Sequence, residues 1–167
     1  VGVRVDGETT LGLNAEVAKL DVVLRPGDAE SAGITVFSNG ETGTRIGYDV
    51  RSGRVFIDRT ASGTVGFNPS FPSVSDAPLT LDDDGTIALE LYLDRASVEL
   101  FADEGMLTIT DQVFPEAGAT SVSAWSEGGT ATVESITVTP ITPTMWQAPE
   151  TGDDAAITLS ATTVRPG

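Results

Sequence analysis

The sequence contains no cysteine and no histidine, and these two absences exclude several kinds of site. Zinc sites of the usual kind need cysteine or histidine ligands, so none is expected. A serine or cysteine nucleophile that depends on a histidine base is excluded for the same reason. Disulfide bonds cannot form, so no disulfide framework holds the chain together. We expect no cofactor and no metal; a structural calcium ion is the one exception that the acidic side chains leave open.

Basic residues are scarce, with 9 Lys and Arg against 25 Asp and Glu, which gives a formal net charge of −16. A surface this acidic repels nucleic-acid phosphates and anionic lipids, so neither nucleic acid nor a membrane is expected as a partner. The acidity is typical of solubility in a salty or extracellular setting, and a divalent cation site is the alternative interpretation. No apolar run approaches the roughly 18 residues of a membrane-spanning helix.

Strand and turn residues are abundant, whereas no segment shows a sustained helical period. The 167 residues are 40% hydrophobic and include 18 glycines, which suits one domain with a real core. Val, Thr and Ile recur in short runs between Gly-rich turns. The pattern predicts an all-β fold, a two-sheet antiparallel β-sandwich of the lectin-like jelly-roll type.

Several elements of this sandwich can be placed from the pattern. Residues 11–24 are predicted to form one long early strand, and residues 44–60 a compact hairpin. Residues 61–78 are predicted to be irregular, because their prolines prevent a central strand. A last hairpin is predicted around the turn at residues 126–129.

The composition changes after residue 140, which we predict to be the end of the sandwich domain. Prolines and acidic residues punctuate residues 141–156, a composition typical of a linker. Residues 157–167, ITLSATTVRPG, resemble the opening strand of bacterial immunoglobulin-like modules. We interpret them as the truncated start of a following β module, or as a tail, and expect the chain to be a piece of a longer protein.

The most informative segment is residues 89–115, LELYLDRASVELFADEGMLTITDQVFP. Two of its strand-like runs meet at an Asp94-Arg95 turn. If Leu91 faces the core, the alternation of a strand places Asp94 outward. If Val98 faces inward, Glu99 also points outward, so that the two carboxylates share one face beside the turn.

Two segments resemble the C-terminal β-sandwich of glycoside hydrolase family 32, the invertases, levanases and inulinases. Residues 46–73, IGYDVRSGRVFIDRTASGTVGFNPSFPS, are similar to a hairpin and loop of that family. Residues 94–99 read Asp-Arg-Ala-Ser-Val-Glu and match its Asp-Arg-x-Ser-x-Glu hallmark. The sandwich also resembles carbohydrate-binding module family 66, whose members bind the terminal fructose of fructans such as levan.

The resemblance implies that this domain is not the catalytic one. The chemistry of the family resides in an N-terminal five-bladed propeller, whose Asn-Asp-Pro-Asn-Gly, Arg-Asp-Pro and Glu-Cys motifs do not occur in this sequence. Paired carboxylates can also mark a glycosidase, but an acidic chain provides such pairs by chance. The expected partners are a fructan polysaccharide or fructo-oligosaccharide and a catalytic domain in the same parent chain, itself a glycoside hydrolase.

Two functions follow from the resemblance. In the first, the domain is a non-catalytic module that recognises the terminal fructose of levan-like β-fructans and targets an attached extracellular enzyme of bacterial type. In the alternative, it is a structural accessory domain that supports the catalytic propeller or mediates dimerisation, which predicts an apolar patch on one face. A calcium-stabilised lectin-like adhesion domain is a third interpretation.

A pocket for fructose needs carboxylates that accept from paired hydroxyls, an arginine that donates in a fork and an aromatic ring over the C–H face. Near its turns the sequence offers all three types, in Glu99, Asp94, Arg95, Asp58, Arg59, Tyr48 and Trp125. A structural role remains open for each of them, with the Asp-Arg pairs capping turns and Trp125 packing in the core. Strand alternation cannot show whether the two hairpins lie side by side.

Overall fold

The computed structural model describes residues 2–142, and nearly all of its regular structure is β-strand. The ten strands are β1 (Val3–Asn14), β2 (Val17–Arg25), β3 (Ser31–Ser38), β4 (Thr44–Asp49), β5 (Arg54–Asp58), β6 (Val74–Pro78), β7 (Ile87–Asp94), β8 (Ser97–Ala102), β9 (Leu107–Gln112) and β10 (Ser121–Pro140). A single 3-10 turn, Asp103–Gly105, is the one helical element in this range. The predicted all-β fold is confirmed.

The strands form two layers that share β10. The strand order is β6-β5-β4-β3-β10-β2-β7-β8-β9, with β1 alongside β10 and every pair antiparallel. Residues 121–127 of β10 pair with β3, and residues 132–140 pair with β2. We call the layer of β3, β4, β5 and β6 with the first part of β10 the first sheet, and the layer of β2, β7, β8 and β9 with the second part the second sheet. The predicted β-sandwich is confirmed.

The hydrophobic core lies between the two sheets and is built from rows of paired side chains. Ile34, Ile46 and Ile57 are register partners across the first sheet and are fully buried. Leu91 and Leu100 form a matching row in the second sheet. Because burying one such side chain contributes about 1.5–3 kcal/mol, these rows fix which face of each strand points inward.

Side-chain bonds link β6 and β9, the strands at the ends of the main strand order. The Ser75 hydroxyl on β6 donates to Asp111 Oδ1 on β9 over 3.1 Å. Arg59, which directly follows β5, donates through Nη1 to the carbonyl oxygen of Gln112 over 3.0 Å. The second bond occupies a backbone carbonyl oxygen at the β9 edge that could otherwise pair with another chain.

The predicted single early strand over residues 11–24 is wrong. The chain ends β1 at Asn14 and begins β2 at Val17, and the amide of Ala15 between them donates to the carbonyl oxygen of Thr120 over 2.8 Å. The reversal contains neither glycine nor proline, and alternating residues continue on both sides of it. The sequence pattern therefore carries no turn signal at this point.

The predicted reversal at residues 126–129 is present, because the ends of β10 return to the same short segment: Ala15 bonds to Thr120, and Ile141 bonds to Val17. The predicted hairpin pairing is wrong, because the two arms of β10 pair with β3 and with β2 in different sheets rather than with each other. Gly128 has φ +69°, and a Cβ at this position would meet the side chain of Glu30 at 2.5 Å. The glycine therefore permits both the reversal and the close approach of the Glu30 side chain. In the predicted irregular segment, β6 forms as an edge strand that ends on Pro78, a position where the missing N–H is tolerated.

The predicted linker and following module lie outside the described residues, except for Ile141 and Thr142. The domain boundaries proposed for residues 141–156 and 157–167 therefore stay predictions. In the range that the structure describes, no helix is long and apolar enough to cross a bilayer.

Three carboxylates in turns make the free energy of unfolding depend on pH. Asp28 accepts hydrogen bonds from the amide and hydroxyl of Thr130, and Asp84 accepts from those of Thr86. Asp49 accepts in the same way from Ser52. These bonds hold the pKa of all three carboxyls below the ordinary value of 3.8.

The free energy of unfolding should fall as the pH drops below 3.8 and through the lowered pKa values of the folded state, because the native carboxylates must then be protonated. Urea denaturation at pH 7 and near the acid limit measures this loss. The Asp84→Asn variant should lose less stability on acidification than the parent chain. Asp83→Asn removes the same charge from the same turn, and an equal effect from it would contradict this origin.

Candidate functional site

The structure distributes the seven predicted site residues over several places rather than one pocket. Asp58 and Trp125 lie on the outer face of the first sheet, whereas Asp94 and Glu99 lie on that of the second. The predicted outward orientation of Asp58, Asp94 and Glu99 is confirmed by the burial of the residues next to each of them. Within residues 2–142, no ion pair joins the Asp58-Arg59 pair to the Asp94-Arg95 pair.

An indole ring lies flat on the outer face of the first sheet. Trp125 is aligned there with two glycines and Phe56 in the lateral row Trp125-Gly33-Gly47-Phe56-Asp76. A Cβ on Gly47 would approach Trp125 Cζ2 to 2.6 Å, so the ring occupies the space that a side chain would fill. The indole Nε1 donates to the carbonyl oxygen of Ile34 over 3.2 Å, which fixes the orientation of the ring.

Arg45 covers this indole. Its guanidinium carbon lies 3.9 Å from the centre of the Trp125 ring, and its Nη1 donates to Glu127 Oε1 over 2.8 Å. Stacking on the indole and pairing with the carboxylate hold the guanidinium in one plane. Trp125 is only 2% exposed as a result, and the surface presents a fixed fork of N–H donors in its place.

A depression of about 320 Å³ surrounds this stacked pair. Its lining includes Phe56, two arginines and four carboxylates. Arg54 pairs with Asp76, with 2.7 Å between Nε and Oδ2. The hydrogen bonds from Ser52 keep the pKa of Asp49 low, so that carboxyl is ionised at neutral pH. Four carboxylates against two guanidinium groups make the depression negative, which disfavours anions and suits a neutral ligand rich in hydroxyls.

Asp58 belongs to this depression and retains capacity to bind a ligand. Its Oδ1 accepts from the amide of Thr60 over 2.9 Å and from the Thr60 hydroxyl over 2.6 Å. Among the described residues both bonds use Oδ1, so Oδ2 can accept from a hydroxyl of a ligand. The turn bonds also fix the carboxylate in position.

Arg59 and Tyr48 make structural contacts. Arg59 lies 4.3 Å from the ring centre of Phe71 and bonds to the carbonyl oxygen of Gln112 as described above. Tyr48 points between the sheets, is 4% exposed, and donates its hydroxyl to the carbonyl oxygen of Leu79 over 2.8 Å. Burial raises the pKa of this phenol, which therefore stays protonated. A role of either residue in ligand binding stays a prediction.

The outer face of the second sheet is an ion-paired surface. Lys19 Nζ lies 2.8 Å from Glu90 Oε2 and 3.0 Å from Asp21 Oδ1, and the hydrogen bond that Lys19 donates to Glu90 is the main cause that raises the pKa of Lys19. Glu99 lies opposite Tyr92 in the β7–β8 register. Arg95, in the neighbouring turn, is exposed, with 3.9 Å between its Nε and Glu16 Oε1. The ligand roles predicted for Asp94, Arg95 and Glu99 belong to this face and stay predictions.

Sequence reasoning missed Arg45, Arg54, Phe56, Asp76 and Glu127. The available signal was Gly47, a glycine between two apolar residues inside a strand, because such a glycine marks a close approach by another group. The glycine indicates that another group lies close to the strand at this position. It does not indicate which group, because Trp125 lies 78 positions further along the chain.

No group of three or more carboxylates lies close enough to hold a metal ion within residues 2–142. In the acidic turn at residues 82–85, Asp84 accepts from Thr86, and the amide of Gly85 donates to the carbonyl oxygen of Asp82 over 2.8 Å. These contacts are those of a hydrogen-bonded turn.

Comparison with known proteins identifies the family. Residues 2–140 match the family described as Glycosyl hydrolases family 32 C terminal. The extracellular exo-inulinase of Aspergillus awamori is 35% identical over 75% of this chain and 24% of its own length. The levanase of Bacillus subtilis is 32% identical over 70% of this chain and 17% of its own length. The chain thus spans a quarter or less of these relatives, and it belongs to the C-terminal domain family of family 32 glycosyl hydrolases.

Solved structures agree with this assignment. The crystal structure of the Aspergillus awamori exo-inulinase superimposes with a TM-score of 0.76 at 31% identity, covering 85% of this chain and 28% of that one. A galectin of Caenorhabditis elegans superimposes with a TM-score of 0.54 at 17% identity, covering 83% of this chain and 89% of that one. The second likeness concerns the β-sandwich fold alone.

Gly47→Ala should destabilise the domain by about 1–3 kcal/mol, because the new methyl group would overlap both the Trp125 ring and the carbonyl oxygen of Ala32. Urea unfolding followed by circular dichroism measures the change. Gly66→Ala is the matched control, since no atom lies within 4 Å of a Cβ at that position. If the Gly47→Ala and Gly66→Ala variants were equally stable, the position of the Trp125 ring would not depend on the missing side chain at Gly47.

Proposed function

We propose that this family 32 C-terminal domain is a non-catalytic module that binds β-fructans on the outer face of its first sheet. Arg45 and the carboxylates around it hold the sugar hydroxyls. In the parent protein, the domain would retain a catalytic domain of the same chain on its polymeric substrate. The observation that carries the proposal is the guanidinium of Arg45, stacked on Trp125 at 3.9 Å within the carboxylate-lined depression.

The chemistry of the depression matches a fructose unit. The guanidinium of Arg45 can donate hydrogen bonds to neighbouring hydroxyls of the sugar, and Asp58 can accept hydrogen bonds from them. Both the acceptor and the donor capacity of the sugar hydroxyls are then used. The half-buried ring of Phe56 lies beside them and offers an apolar surface to the C–H groups of the sugar. A fixed guanidinium loses little side-chain entropy when it binds, which favours affinity.

The relatives support the ligand class and the setting. Their names, exo-inulinase and levanase, denote enzymes that act on fructans, and the first is described as extracellular. By this relationship we propose an extracellular parent enzyme with a fructan substrate. The catalytic motifs expected for the family do not occur in this sequence, which supports a binding role for the domain.

Replacing Arg45 should weaken fructan binding by about 1.5–3 kcal/mol, the usual contribution of hydrogen bonds to a charged group. Isothermal titration of the chain with levan and inulin oligosaccharides measures the affinity of the parent and of Arg45→Gln. The control is Arg25→Gln, which removes another ion-paired arginine, one bound to Glu134 away from the depression. Absence of any heat with the parent chain would refute the binding function itself.

Glu99→Ala distinguishes the two outer faces. If fructan binds beside Arg45, this variant keeps the affinity of the parent chain, because Glu99 lies on the second sheet. A loss of about 1–3 kcal/mol would place the sugar on the second sheet instead, among the residues near the Asp94-Arg95 turn. The same titration with fructo-oligosaccharides provides the measurement.

A second candidate function is structural support of the rest of the enzyme. Phe67, Phe71 and Phe114 form an aromatic cluster with ring centres 4.8–5.4 Å apart. Phe67 is 58% exposed. An exposed apolar group of this kind is typical of a contact with another domain or subunit.

Phe67→Ser should lower the melting temperature of the full-length parent enzyme and leave that of the present chain nearly unchanged, if the cluster packs on another domain. Calorimetry of both forms gives the comparison. Met106→Ser is the control, since Met106 is an exposed apolar residue outside the aromatic cluster. If Phe67→Ser lowers the melting temperature of the present chain as much as that of the full-length enzyme, the effect comes from packing within the aromatic cluster.

A further inference from the structure

We infer that the fructan site continues beyond Arg45 into a second depression and holds at least two consecutive sugar units of one chain. The inference rests on the proposed function and extends it from a single terminal sugar to an oligosaccharide. The second depression lies on the same outer face and is lined by parts of β1, β3 and β10 and by the turn at residues 39–43.

Arg45 lies at the boundary of the two depressions and contributes to the lining of both. Their volumes are about 320 and about 460 Å³. Each volume is within the range of about 300–1,000 Å³ that is typical of small-molecule sites. Because the register row Ser123-Thr35-Arg45-Asp58 crosses the sheet from one depression to the other, a ligand can extend across the guanidinium.

The second depression offers the groups that a neutral sugar needs. On β1, Glu8 lies opposite Trp125, and Thr10 lies opposite Ser123, so both outer residues stand next to the stacked pair. The Ser123 hydroxyl donates to the Glu8 carboxylate and fixes its position. Glu8 can then accept from a sugar hydroxyl, and the exposed hydroxyl of Thr10 can donate or accept.

The opposite wall of the second depression is a fixed turn. Asn39 Oδ1 accepts from the amides of Glu41 and Thr42 over 2.9 and 2.8 Å. A Cβ on Gly43 would meet Thr35 Cγ2 at 2.5 Å, so the turn packs directly against the sheet. A wall formed before the ligand arrives costs little ordering entropy on binding.

The two depressions differ in what they provide. The first has the Phe56 ring and a fork of donors, whereas hydroxyl and carboxylate groups supply the contacts of the second. A second sugar unit therefore gains hydrogen bonds without stacking, and each such bond contributes a modest net amount. We expect the affinity to rise about two- to tenfold when a second unit is added, and fructose alone to occupy the depression with Phe56.

Titration of the chain with fructose and with β-fructan oligosaccharides of two and three units tests the inference. The parent chain should bind the longer ligands more tightly than fructose. The double variant Glu8→Gln/Thr10→Val should lose that gain and keep the affinity for fructose. Thr110→Val, an exposed threonine on β9 of the second sheet, is the control and should retain the gain.

The outcomes separate the inference from the function on which it rests. If the parent chain binds none of the ligands, the proposed function fails and the extended site fails with it. If it binds fructose and the oligosaccharides equally, or if the double variant keeps the gain, the second depression is not part of the site. Binding beside Arg45 would then stand as a site for a single sugar unit.

Discussion

One continuous strand determines both the sandwich and its candidate site. The first part of β10 belongs to the first sheet and carries Trp125, and its second part belongs to the second sheet. Gly128 permits the bend between the two parts. Because hydrogen bonding along β10 links the layers, the core rows of one sheet are held over those of the other. The same continuity places Trp125 opposite the glycines of β3 and β4.

The candidate site depends on a space left empty by glycine and filled by an aromatic ring. Gly33 and Gly47 carry no side chain on the outer face, so the indole of Trp125 lies against the backbone of the sheet. Arg45 then lies on the indole, and Glu127 holds its guanidinium from one side. Packing and charge together convert a flexible side chain into a fixed donor.

The domain presents two surfaces of different chemistry. The outer face of the first sheet is polar and negative, with fixed donors and acceptors suited to a sugar. The cluster of Phe67, Phe71 and Phe114 is apolar and exposes the Phe67 ring, which suits contact with a protein surface. The proposed binding of polymer and the proposed support of a neighbouring domain therefore involve different residues.

Much of the fold was accessible from the sequence, because alternation within a strand is a local property. It placed Leu91 and Leu100 in the core and Asp58 and Glu99 outside, as the structure has them. The glycines near residue 128 have a turn composition, and the chain does reverse there, but long-range pairing assigns the two arms of β10 to different sheets.

The site itself could be identified only in part. The sequence supplied Asp58 and Trp125 as candidates, and with them the residue types that a sugar requires. It grouped them with Asp94 and Glu99, which the fold places on the opposite face. Which outward side chains become neighbours depends on the order of strands in the sheet, and that order is set by long-range pairing of β10, beyond the reach of local alternation.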